Sequence, residues 1–268
     1  MNVLAAAEWG GEFDGVLDDI NALFDFPQIF SFGFSILGEE IGINRTILIA
    51  WLMTAIVMVL FYLGTNNARI VPGKLQAGLE MVVDFNRQVA LDIIGPKGLK
   101  FVPILTTFFV AIFALNIAKI TPMLMLPPTG RAAWPLFLAL IAWLIYVGVG
   151  IQQQGFIGYF KGVAFPSGVP WPLYVILTPI EIISTLVLRP LTLAIRLFAN
   201  MAAGHILVVI TLVTPWIFLP SPAGWPIGVF TVIAGPLVFG FELFIIGLQA
   251  YIFTMLTAVY IDSSMEAH

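Results

Sequence analysis

The chain has 268 residues, 60% hydrophobic and only 10% charged, with a formal net charge of -4 and a mean hydropathy of +1.03. Globular chains carry about 25% charged residues, so the composition excludes an ordinary soluble domain, and eleven scattered Lys and Arg exclude a basic nucleic-acid surface. Zero Cys and two His exclude disulfides, thiolate metal sites and a His-built haem or zinc centre, so no metal or cofactor is expected.

Eight of the fifteen acids fall in the first forty residues (Glu8, Glu12, Asp14, Asp18, Asp19, Asp25, Glu39, Glu40). Residues 1–45 read as a retained acidic tail, because they lack the basic and apolar regions of a cleavable signal. Residues 46–64 are an apolar run close to the ~20 residues that cross a hydrocarbon core. In residues 74–94, Gln76, Glu80, Asp84, Arg87, Gln88 and Asp92 recur every three or four positions opposite Leu75, Leu79, Val82, Val89 and Ile93. That spacing predicts an amphipathic helix on the membrane surface.

Residues 101–118 and 133–152 are two further spans, and the turn residues between them predict a helical hairpin, with Lys119 in its loop. A polar connection over 152–161 and a Pro/Gly-rich stretch over 165–172 follow. Apolar sequence then runs from 173 to about 219, too long for one straight crossing, and must tilt, break near Pro190, or both. Residues 219–226 form a turn, and a last apolar run over 227–261 ends in a polar tail. The expected fold is an all-α integral membrane protein with about five embedded helices and one surface helix, the last two embedded helices long and tilted. Residues 46–268 form its single membrane domain.

Arg69, Lys74, Arg87, Lys97, Lys100 and Lys161 cluster in two connections, which short-loop charge bias places in the cytoplasm. The N-terminus is then outside and the C-terminus inside, with Lys119 and Arg131 on the outer side.

Between residues 191 and 261 only Arg196 and Glu242 are formally charged. A mid-membrane guanidinium costs about 2.5–3.5 kcal/mol on insertion scales and cannot shed its proton. Thr192, Arg196, Asn200 and Ala203 share a stripe bordered by small residues, a face suited to close helix contact. Two readings stand. Arg196 pairs permanently with Glu242 to pin two helices, or it meets a group outside the chain.

His205 lies nine residues on, turned about 180° away and displaced about 13 Å. Glu242 and Gln249 are seven apart on one face, so a carboxylate, an imidazole and an amide could line a wet proton path. Glu181 either joins a second polar path or is an interfacial carboxylate near a helix start. The chain contains no phosphate loop, dinucleotide fingerprint or nucleophile–base pair. It is expected not to be catalytic alone.

The motifs RPLTLAIRLFANMAAGH (residues 189–205) and FELFIIGLQAYIF (residues 241–253), supported by IIGPKGLKFVP (residues 93–103) with Asn116 and Pro122, closely resemble subunit a of the F-type bacterial ATP synthase. The resemblance runs from the first span to the C-terminus. It implies a stator in the bacterial inner membrane that forms two proton half-channels against a rotating c-subunit ring, with peripheral-stalk b subunits and lipid as further partners. It also implies that Arg196 is the essential arginine beside Asn200, that His205 and Glu242 interact in the outer half-channel, and that Gln249 faces the arginine. Glu181 corresponds to an acidic position near the inner half-channel. Two positions depart from the pattern, Ala199 for Gly and Lys119 for Gly or an acid, and neither is expected to touch the chemistry. The competing function is a self-contained secondary transporter binding an anion at Arg196, though the two halves show no repeat.

Overall fold

The computed structural model describes residues 28–36, 39–66, 68–121, 128–130, 132–165 and 173–265. Residues 1–27 of the acidic tail lie outside this set. Ahead of the first helix, β1 (Gln28–Ile36) and β2 (Glu39–Asn44) pair antiparallel, with Gln28 opposite Asn44 and Ile36 opposite Glu39. A polar-tail reading does not anticipate this hairpin. Its signal is the strict alternation of Phe30, Phe32, Phe34 and Ile36 with Ser31, Gly33 and Ser35, a period of two.

The hairpin runs directly into α1 (Arg45–Thr65), capped by Asn44. Its Oδ1 accepts from the Ile47 amide at 3.1 Å and the Thr46 hydroxyl at 2.6 Å, satisfying a donor orphaned at the helix start. In α2 (Lys74–Ile94), Asn86, Val89, Ala90 and Ile94 are buried while Glu80, Asp84, Arg87, Gln88 and Asp92 are exposed, as the amphipathic spacing predicts. Leu75 is exposed at the first turn. A 3-10 segment, Gly95–Phe101, joins α2 to α3 (Val102–Ile117), so the surface helix and the second span form one helical run.

The spans α3 and α4 (Ala133–Gln154) both lean on the last helix, α8 (Trp225–Met265). Phe108, Ile112 and Leu115 of α3 and Leu138, Ala139 and Ala142 of α4 gather in one core around Ala250 and Phe253 of α8. The connection expected to be polar after α4 is instead helical. Gly155, at φ 75°, ends α4, and α5 (Phe156–Ala164) begins at once. Tyr159 of α5 is buried against Gly150, and this desolvation raises its phenol above the ordinary range.

The long run after the Pro/Gly-rich stretch does not break at Pro190. Between α6 (Tyr174–Ile183) and α7 (Arg189–Phe218) the helix widens into a π segment, Ser184–Leu188. The Arg189 amide bonds the Ser184 carbonyl, five residues back, and Pro190 has no amide. The Thr185 carbonyl therefore loses both its α and its π donor. The Tyr146 hydroxyl of α4 donates to it at 2.7 Å, from a side chain only 1% exposed.

Backbone bonds among Phe218, Ser221, Gly224 and Ile227 turn α7 back along α8. α8 continues to Met265, so the expected polar tail begins as helix, with Ser264 buried. Among the described residues, five helical runs are long and apolar enough to cross a membrane: Arg45–Thr65, Lys74–Ile117, Ala133–Gln154, Tyr174–Phe218 and Trp225–Met265. The last two have 45 and 41 residues. At 1.5 Å per residue each is about twice the ~30 Å hydrocarbon thickness, so both are steeply inclined. The membrane domain is all-α.

Candidate functional site

The stripe Thr192, Arg196, Asn200 and Ala203 is exposed along its whole length. The opposite side of α7, with Leu193, Ala194, Leu197, Met201, Gly204, His205 and Val208, is buried. This division follows from helical periodicity, since the large aliphatic residues take the side that packs on α4 and α8. Arg196 stands at the midpoint of the run Tyr174–Phe218, flanked by exposed Ile195. Among the described residues it makes no hydrogen bond and no ion pair.

Glu242 lies elsewhere. It is 2% exposed on α8, and its Oε2 accepts from Lys119 Nζ, a side chain equally buried. A permanent Arg196–Glu242 pair is therefore not the arrangement of this chain, and Lys119, expected to stay clear of the chemistry, touches Glu242, one of the residues expected to carry protons. The reason is local: past the end of α3 the Lys119 amide bonds the Asn116 carbonyl at 3.1 Å, which keeps the turn curled and leaves the side chain buried. The Asn116 side chain is itself fixed, its Oδ1 accepting from the Thr129 hydroxyl at 2.6 Å.

His205 is buried on the side of α7 away from Arg196, as the nine-residue separation predicts. Its neighbour Gly204 lines the ion pair. A Cβ there would stand 2.7 Å from Glu242 Oε1 and closer still to Lys119 Nζ. Lys119 and Glu242 thus meet against the glycine that precedes His205 in α7.

Gln249 is buried two turns past Glu242, and its Oε1 accepts from Asn200 Nδ2 at 2.5 Å. The glutamine expected to face Arg196 is held one turn beyond it. Its Nε2 has no acceptor among the described residues. Glu181 is half-buried on α6, about four turns before Arg196, and no hydrogen bond or ion pair among the described residues joins it to the others.

Sequence reasoning placed Gly204 among small residues suited to close helix approach, which the structure bears out, but it missed the part Lys119 plays there and a clasp at the far end of α8. There Arg189 Nη1 donates to Ser263 Oγ at 3.4 Å, and its guanidinium stands 5.3 Å from the Tyr260 ring. The only signal for Lys119 was its charge beside an apolar run.

These features define a multi-pass α-helical membrane protein whose last two helices bury Glu242, His205 and Gln249 and, among the described residues, present Arg196 outward without a hydrogen bond or ion pair. The ATP synthase A chain family matches residues 47–262, and the chain belongs to that family. It is 42% identical over 229 residues to a protein named ATP synthase subunit a from Rhodococcus erythropolis, covering 84% of this chain and 83% of that one. Proteins of the same name from Frankia alni and Streptomyces lividans are 36% and 34% identical, over 94% and 91% of this chain and 86% and 89% of theirs.

Proposed function

We propose that the chain is the stator subunit of a rotary ATP synthase, lining two proton half-channels against a turning ring of c subunits and coupling proton flow to rotation. The observation that carries this reading is Arg196, a permanent charge at mid-helix that faces outward with no partner among the described residues. Its burial in a membrane, at about 2.5–3.5 kcal/mol, requires a compensating anion from outside the chain. A ring carboxylate that loses its proton opposite Arg196 supplies that anion.

In this scheme Glu242, His205 and water relay a proton from the outer side to a ring carboxylate. The loaded ring site turns through lipid, releases its proton into the inner half-channel near Glu181, and returns as an anion to Arg196. A fixed cation between the paths bars a proton from passing straight through, and the membrane potential contributes about 2.3 kcal/mol per charge per 100 mV. Asn200 and Gln249 hold the two long helices together beside that crossing. ATP chemistry resides on other subunits, and peripheral-stalk b subunits and lipid cover the remaining apolar faces. The same reading puts the chain in the bacterial plasma membrane, with residues 1–45 outside, the C-terminus in the cytoplasm and residues 46–268 as one proton-channel domain.

The test is Arg196→Ala in the assembled complex, reconstituted in vesicles, with ATP synthesis and proton flux both measured. Synthesis is expected to vanish while passive proton flux rises, because ring sites then carry protons past without obligatory release. Normal coupled synthesis without Arg196 would overturn the scheme.

A further inference from the structure

The buried contact between Lys119 and Glu242 is the one strong electrostatic interaction at the site that the proposed scheme leaves without a role. We infer that Lys119 is a positioning residue for proton uptake, holding the Glu242 carboxylate ready to receive a proton beside His205. The inference rests on the reading of Glu242 as a proton carrier.

Two observations carry it. First, two oppositely charged side chains, both almost wholly buried, are in contact, and a buried charge held against its partner keeps a fixed orientation. Second, α7 makes room for the contact. At residue 204 any side chain larger than hydrogen would collide with both Lys119 Nζ and the Glu242 carboxylate. The glycine that receives the pair directly precedes His205, which is buried on the same side of α7. The titratable groups that meet here are Lys119 beyond the end of α3, His205 on α7 and Glu242 on α8, and Arg196 is on the far side of α7.

The proton balance is simple. An incoming proton forms an O–H bond on Glu242 and weakens its hold on the Lys119 ammonium, which keeps all its protons. The proton then passes by way of His205 and water to the ring carboxylate. Glu242 becomes an anion again and Lys119 closes on it. The lysine acts as a spring-loaded counter-charge and carries no proton across.

The experiment uses the assembled complex in vesicles and measures proton-driven ATP synthesis against the pH of the entry side. Lys119→Gln removes the positive charge that faces the carboxylate, and the rate curve is expected to move to alkaline pH by about one unit or more. Lys119→Arg keeps the charge and is expected to restore the wild-type curve. Gly204→Ala crowds the pair apart by displacing flexible side-chain ends and is expected to shift the curve in the same direction. It is the deciding variant should the Lys119→Gln complex fail to accumulate. A lower complex abundance with an unmoved curve means that the pair only pins helices, and overturns the inference. Unaltered synthesis in Glu242→Gln overturns the proton-carrier reading itself, whereas a defect in Glu242→Gln with an unshifted curve in the Lys119 and Gly204 variants overturns the role of Lys119 alone.

Discussion

At the scale of single residues, the decisive feature is which charge meets which. Arg196 and Glu242 are the only formally charged residues between 191 and 261, which makes them an obvious pair on paper. In the folded chain, Glu242 takes Lys119 from a distant turn and leaves Arg196 outward. A buried pair that loses one member costs about 3–5 kcal/mol, because the other charge stays behind unpaired. Lys119→Gln is therefore expected to lower the resistance of the complex to denaturation, and Lys119→Gln combined with Glu242→Gln to recover most of the loss. Thermal unfolding of the purified complexes measures both. For the proton path, Glu242→Gln combined with His205→Ala is expected to stop proton-driven synthesis in the complexes that assemble. Full coupled activity in that double variant would remove both side chains from the path.

At the scale of elements, the π segment between α6 and α7 shows how one proline recruits a distant side chain. Pro190 leaves the Thr185 carbonyl without a backbone donor, and Tyr146 fills the gap. An unsatisfied buried carbonyl costs about 1–3 kcal/mol, so Tyr146→Phe is expected to destabilise the protein by that amount. Pro190→Ala supplies a backbone amide five residues after Thr185, the spacing of a π-helix bond. In that background Tyr146→Phe is expected to cost clearly less. A double-mutant cycle on unfolding free energy tests the coupling, and strictly additive effects would show that the hydroxyl is not replacing the missing amide. The register of Arg196, two turns on, depends on this segment staying wide.

At the scale of the whole molecule, the helix order and loop charges predict a topology with the connection around Lys97 inside and the turn around Ala223 outside. Both positions are exposed, and the chain has no Cys of its own. Single cysteines placed there are expected to react with an impermeant thiol reagent from opposite faces of the membrane. Reaction from the same face would refute the five-crossing arrangement. Ser264 is a poor reporter for the inner side, because α8 continues through it and buries it.

The sequence by itself determined the membrane class, the five apolar runs, the amphipathic face of α2 and the outward stripe of α7. Each depends on hydropathy and helical period, which are properties of neighbouring residues along one helix. The alternation that makes β1 is local in the same sense. Only the tertiary structure decided that Glu242 meets Lys119, that Gln249 bonds Asn200, that α8 packs on both arms of the expected hairpin, and that the long run stays continuous by widening at Ser184–Leu188, where tilt and a break near Pro190 were both open. These outcomes depend on which helices lie side by side, because charge pairing and the rescue of an orphaned carbonyl act through space over a few ångströms, between residues that the chain separates by up to 123 positions.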